Sequence, residues 1–516
     1  MLSLTDLPTE VLVAICSSLC LHCQLPRVVD APHDIVATAS TGQQALARLS
    51  QCSAKLRRVA QPVLFHWYHS HPQDGYHAER RRSTAFLFAI IRQPDLAAAV
   101  RALSLHAAPF PLDTSHADDI SQSVHDKEGL CRRAAQRVGG HLLRACPSSG
   151  LPHLEFIQEL AVVITPQLSQ LCLNRKTEWS RSEEWCWTGW SYDMPTLKDL
   201  VFEGVQGDPD YEVSYHIYQA KNLLRHTPNL QILIAPDCAA GADGGVNVRY
   251  RSKPWDIPLE GLTTLSLNGS DMEQMATILR ECPLLEDLEY YDGEDTPAEA
   301  LDPERHLGHV KTTLRRLCYS MRRAGPKKLE EDDDIIDARM NDDLDIQSII
   351  RFCDWFGGLT RMDTVGLSFS SFPVLDVLEL EQAVLYGPIF PTDEEPAEDR
   401  SSMLSTPGEF LDKLPPSIRL LRVGSVFYWP TLYRDLMALA VQSSRFPRLK
   451  IIRLDVFRAS APPEEELQAL VGAFRAAADI KLSLYQVTRA IGSRGLLPAR
   501  PGHKQPVLKP LPYSFD

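Results

Sequence analysis

The chain contains no run of about eighteen consecutive apolar residues, so nothing in it reads as a membrane-spanning helix. Its first residues also lack the basic opening and long apolar core of a signal peptide. The expectation is a cytoplasmic or nuclear protein with no membrane partner. Positive charge is short as well. Against 67 Asp and Glu stand 53 Lys and Arg, and the net charge of −14 disfavours nonspecific nucleic-acid binding. Catalytic signatures are missing too: there is no Walker loop, no strand-linked GxGxxG, no HExxH and no GxSxG. No nucleophile, base or phosphate cradle is nominated, which points to a noncatalytic protein without a cofactor.

Twelve cysteines are scattered along the chain and read as reduced thiols packed like small apolar groups. Cys16, Cys20, His22 and Cys23 lie close together, with His66, His69 and His71 farther on. Structural zinc sites usually repeat a gap of roughly two to four residues in two distinct pairs. Cys16 and Cys20 instead fall on the first helix, where cysteine commonly packs, so no metal site is expected.

What is present begins with size: 516 residues, 44% hydrophobic and 23% charged, enough for several domains or one extended solenoid. Past the first seventy or so residues a pattern recurs, an aliphatic residue followed at the third and fifth positions by further apolar ones. Copies start at Val100, Ile157, Leu197, Leu230, Leu262, Leu285, Leu314, Leu375, Ile418 and Leu449. Several have a proline two residues earlier, as in TPNLQIL, CPLLEDL and FPRLKII. Ahead of the prolines the period turns helical: Met272, Met275, Leu279 and Cys282 step by three and four before Pro283 ends the helix. The unit is helix, proline-marked turn, short strand, and each copy has an apolar edge that only its neighbour covers. Strands reached through helical crossovers run parallel. The expected fold class is α/β, an irregular leucine-rich-repeat-like solenoid with a curved parallel sheet. The asparagine that usually follows the strand in leucine-rich repeats is missing from most copies. A conventional α/β domain with a parallel sheet is the alternative.

Two long steps interrupt the series. The first, between Leu314 and Leu375, carries the acidic block KKLEEDDDIIDARMNDDLD, which reads as a solvated loop or as a docking strip for a basic substrate segment. The second, between Leu375 and Ile418, has loop composition. Elsewhere Trp179, Trp185, Trp187 and Trp190, half of the eight tryptophans, crowd one segment beside Tyr192. They read either as packing beneath a long loop or as substrate-binding hot spots.

The amino terminus is the most informative stretch. In LPTEVLVAICSSL, Pro8 suits a first helical turn, Glu10 the positive end of the helix dipole, and Thr5 or Asp6 a cap. Val11, Leu12, Ile15 and Leu19 then recur at helical spacing, as do Leu46, Leu49, Leu56 and Val59 in the basic stretch ALARLSQCSAKLRRVAQPVLF. Two short helices cannot cover both apolar faces, so a partner or a following domain must cover the remainder. Between them Pro26, Pro32 and Gly42 mark an inserted loop at about residues 24–44.

At these residues, roughly 2 to 68, the chain resembles the F-box family, whose module opens with Leu-Pro-x-Glu-aliphatic-aliphatic and closes with a basic, Leu-rich helix. The resemblance implies the substrate receptor of a Skp–cullin–F-box ubiquitin ligase. It divides the chain into an F-box at 1–70, a leucine-rich-repeat-like solenoid at 71–490 and a Pro-rich tail at 491–516. It implies a Skp-type adaptor and a cullin as partners, with a protein substrate that the sequence does not name. Carried over by position, Leu7 and Pro8 would enter the adaptor's groove, and Val11, Leu12, Ile15 and Leu19 would line the contact. Leu46, Leu49 and Leu56 would complete the module, and Glu10 matches the family's acidic position. Substrate would bind at loops on the carboxyl ends of the strands. A non-degradative interaction scaffold is the alternative; a repeat-fold enzyme would need a metal or a buried charged cluster.

Overall fold

In a computed structural model of the chain, the described residues are 4–25, 27, 33–70, 75–107, 123–140, 142, 154–175, 190–204, 215–239, 257, 259–269, 272–292, 302–321, 368–382, 385, 408–426, 429–457, 463–478, 480–487 and 508–510. The chain opens with four helices: α1 (Thr9–Leu19), α2 (Leu21–Gln24), α3 (His33–Cys52) and α4 (Ala54–Leu64). α1, α3 and α4 close over a small core in which Leu12, Cys16, Leu46, Leu56 and Val63 are buried. Pro8, and not Thr5 or Asp6, occupies the capping position before α1, and its own side chain makes no capping hydrogen bond. Ser53 does cap α4, its hydroxyl accepting the Leu56 N–H at 3.2 Å.

The inserted loop needs correction. α3 already runs from His33, so residues 33–44 of the expected loop are helix. Gly42, expected in the loop, lies inside α3 where that helix crosses the end of α1, and a Cβ there would overlap the Leu19 carbonyl oxygen. In an open helix Gly→Ala gains about 1 kcal/mol. Here Gly42→Ala is expected to destabilise the helical module by about 1–3 kcal/mol, read as a lower denaturation midpoint, because the backbone must shift to admit the methyl.

From Trp67 onward the chain builds one sheet. Its strands are β1 (Trp67–His69), β2 (Ala102–Ala107), β3 (Gln170–Arg175), β4 (Asp199–Gly204), β5 (Tyr215–His216), β6 (Ile232–Ala239) and β7 (Thr264–Gly269). There follow β8 (Asp287–Asp292), β9 (Arg316–Met321), β10 (Val377–Glu381), β11 (Leu420–Val426), β12 (Ile451–Phe457), β13 (Lys481–Val487) and β14 (Leu508–Pro510). β1–β4 and β6–β13 lie side by side in chain order as 12 parallel strands. Off that file, β5 pairs with the end of β6, and β14 runs antiparallel to β13. The fold is therefore α/β with a long parallel sheet. β1 falls inside the segment 1–70 assigned to the helical module, and β14 inside the expected tail.

Nine of the ten expected repeats supply strands, each beginning two residues after its first aliphatic, as β4 does after Leu197. The exception is IQELAV from Ile157, which lies in the helix Leu154–Val163. There Leu154, Ile157, Leu160 and Ala161 are buried at a spacing of three and four, so the helical period prevails. The strand comes next, at PQLSQLCL, where Leu168 starts a further copy of the pattern.

Register explains the pattern. The second aliphatic of each copy forms a row across the sheet, Leu171, Leu200, Leu233, Leu265, Leu288, Leu317, Leu378 and Leu421 among its members, buried beneath the crossover helices in one continuous core. Fully burying such a side chain contributes about 1.5–3 kcal/mol. Ahead of the strands runs a second ladder, of backbone bonds. Arg101 N–H donates to the His66 carbonyl, Ser169 to Arg101, Lys198 to Ser169, and so on through Arg315, Asp376, Arg419 and Lys450 to Lys481, at 2.7–2.9 Å. No helix among the described residues is long and apolar enough to cross a membrane.

Candidate functional site

Three features offer function: an apolar stripe on the helical module, a charged network on the sheet, and a polar seam between the two. The stripe is drawn from three successive pieces of chain: Leu4 in the short 3-10 turn Leu4–Asp6, Pro8 just before α1, and Val11 and Ile15 four apart on α1, all four of them exposed. Of the six large apolar side chains exposed among the described residues, four (Leu4, Val11, Val13 and Ile15) belong to this module. Lys55 on α4 holds the segment before α1 in place, its Nζ donating to the carbonyls of Thr5 at 2.7 Å and Leu7 at 2.8 Å. Glu10 is exposed in the first turn of α1.

Not every expected contact residue faces outward. Leu12 is 1% exposed, Leu46 0% and Leu56 4%, and they make the module's own core. Leu7, Leu19 and Leu49 pack partly buried against it. The physical reason is that a three-helix module this small consumes the aliphatics at three-to-four spacing to hold itself together. Only those a quarter-turn away remain for a partner.

On the sheet, the face away from the crossover helices changes character along its length. At the β1 end it is apolar: Trp67, Ala102, Cys172, Val201 and Ile234 pack together, and Leu21 of α2 closes over them. Toward β13 it is charged. Arg316 reaches Asp287 at 2.9 Å, Glu289 at 2.8 Å and Glu379 at 2.9 Å. Glu379 also accepts from Arg422 at 3.0 Å, and Arg422 binds Asp455, which in turn accepts from Arg453 at 3.2 Å. The Arg453 guanidinium lies 3.9 Å above the Tyr485 ring, a cation–π contact that closes the series. Adjacent strands thus alternate acid and arginine, and each of these charges meets an opposite one at hydrogen-bond distance. Opposite charges at that distance offset much of the cost of burying them.

At the seam, Asp199 on β4 is 7% exposed and accepts from Gln170 at 2.9 Å. Burial raises its pKa to about 6, opposed by the Arg27 charge, the Gln170 hydrogen bond and Lys198. A carboxyl raised in the folded state stabilises the protein below the unfolded value and loses that contribution as pH rises through the folded one. Asp199→Asn, which keeps the Gln170 contact, is expected to stabilise the chain by about 1–3 kcal/mol at pH 7 and hardly at all at pH 4. Denaturation series at the two pH values measure the difference.

Also at the seam, Cys20 and Cys23 meet His66, with Cys23 Sγ 3.3 Å from His66 Nδ1. Burial, then the charges of His22 and Arg101, lowers the His66 pKa to about 4, and burial pushes the Cys20 thiol up to about 12. Cys16 is a buried packing residue, as expected. Sequence spacing, which asks for a second pair of ligands nearby, does not join Cys23 to a histidine brought in by the fold.

Trp190 is 2% exposed in the main core, its Nε1 donating to the Tyr192 carbonyl at 2.7 Å, and Tyr192 in turn donates to the Gly139 carbonyl. It anchors the fold here and is not a solvent-facing hot spot. Trp179, Trp185, Trp187 and the acidic block lie outside the described residues. Compared with known proteins, the chain matches no protein-family model and no curated sequence.

Proposed function

We propose that the chain is the substrate receptor of a Skp–cullin–F-box ubiquitin ligase, with an F-box-like amino-terminal module and a leucine-rich-repeat-like solenoid. The observation that carries this reading is the stripe of Leu4, Pro8, Val11 and Ile15, exposed on a module whose own core is already filled. Concentrated exposed apolar area of this kind marks an interaction surface. A Skp-type adaptor would cover the stripe and a cullin would follow through it, placing the receptor in the cytoplasm or nucleus. The parallel sheet is a rigid scaffold from which loops of different lengths hold a substrate protein. The chain itself would be noncatalytic: it makes attack by a substrate lysine effectively intramolecular by holding it near the charged enzyme.

Affinity capture with the intact chain and with a Val11→Glu, Ile15→Glu variant tests the proposal. Adaptor and cullin recovered with the first and lost with the second support it, and their absence from both overturns it. Ubiquitylated prey that accumulates when the proteasome is blocked separates a degradative receptor from a scaffold of the same architecture.

A further inference from the structure

The seam carries a constellation that adaptor docking does not use. Cys20 sits immediately before α2 and Cys23 within it, so a two-residue gap turns both sulfurs toward one end of a single helical turn. His66 arrives from the link between α4 and β1, the same residue whose carbonyl starts the backbone ladder. The three donor atoms lie within 4.8 Å of one another, and Cys23 Sγ stands 3.3 Å from His66 Nδ1. Around tetrahedral zinc, with bonds of about 2.3 Å to sulfur and about 2.0 Å to nitrogen, donors stand about 3.8 Å apart for S–S and about 3.5 Å for S–N. The groups stand near that coordination spacing. His22 lies beside this group, outside the set whose donor atoms fall within 4.8 Å of one another, and a turn of its ring would be needed to bring it in. The His22 ring meets the His66 ring edge-on with centroids 5.7 Å apart, and its Nδ1 is buried with no hydrogen-bond partner.

We propose that Cys20, Cys23 and His66 bind a zinc ion, with His22 as the fourth ligand. Both thiols give up their protons on binding, and two thiolates with two neutral imidazoles balance the dication. Access is open from the Cys23 side, which is exposed, while Cys20 is 4% exposed on the module's core. The ion would tie α2 to the base of β1 and so lock the helical module to the first strand of the sheet. This site does not depend on the adaptor reading.

The test is metal content by mass spectrometry of the full-length chain, purified reduced and without chelator, followed by replacement with Co²⁺. About one zinc per chain, and thiolate-to-cobalt charge transfer with tetrahedral d–d bands, are expected. Cys23→Ser and His66→Ala should each weaken binding at least about tenfold and remove the cobalt spectrum, while Cys52→Ser, at an exposed cysteine elsewhere, should change neither. Cys23 is exposed, so its variant keeps the module core. Loss of tetrahedral bands in His22→Ala supports the fourth ligand; their retention overturns His22 in that role. Reduced protein that takes up neither metal, a Cys20–Cys23 disulfide in the purified chain, or metal retained by both ligand variants would overturn the site.

Discussion

Replacing Val11 and Ile15 together by glutamate is expected to weaken binding of a Skp-type adaptor at least about 100-fold, or about 2.7 kcal/mol, while leaving thermal unfolding nearly unchanged. Both side chains are exposed, at 42% and 36%, so the substitution removes no core contact. In a complex the same side chains would lose water, and two carboxylates forced into that dry interface would carry their desolvation with them. Leu12→Ala is the contrast. It empties a fully buried site, should destabilise the module by about 2–5 kcal/mol, and would reduce capture only through that loss. Interferometry with purified adaptor and calorimetry of each variant separate the two effects. Undiminished affinity of the double glutamate variant would remove the docking reading.

Asp455→Ala should be among the most damaging single substitutions in the sheet, at about 3–5 kcal/mol. Asp455 is 0% exposed and lies between Arg422 and Arg453, and Arg422 is itself 4% exposed. Removing the acid leaves a buried guanidinium with Glu379 on one side and nothing on the other. Because the strands follow one another in chain order, the loss should appear as faster hydrogen exchange in β11 to β13, with β2 to β4 little altered. Replacing the pair together, Arg422→Met with Asp455→Leu, is expected to recover most of the stability, since an apolar pair of similar volume needs no partner. Equal exchange in Asp455→Ala and the parent would show that the network contributes nothing to the fold.

Much of this architecture is legible in the sequence, for a physical reason. Each strand carries its own address, an aliphatic residue in the turn and two more facing the helices, so β4 and β6 to β12 can be read one at a time. β3 is hidden because Ile157 and Leu160, which serve the helix before it, match the same short pattern. β1 and β13 break the pattern itself: Phe65, Tyr68 and Ser70 stand at its three positions in β1, and Asp479 at its first in β13. The helical module is less legible. One aliphatic period serves both its core and its surface, so Leu12 and Val11 look alike until the packing of α3 and α4 buries the first and leaves the second exposed. The charged network is invisible for a different cause: Arg316, Glu379, Arg422 and Asp455 are widely separated in sequence, and only strand register aligns them. The same holds for Cys23 and His66.

The backbone file from His66 to Lys481 has a consequence for how such a protein can change over time. Its Thr263-to-Glu286 link spans 23 residues and its Arg101-to-Ser169 link spans 68, yet both close at essentially the same length, 2.9 and 2.8 Å. The frame does not measure how much chain lies between one rung and the next. Segments can therefore be lengthened, shortened or exchanged between rungs while every strand keeps its address. A lineage carrying this scaffold can alter what it recognises by editing its crossovers alone, with the ruler on which they hang left untouched.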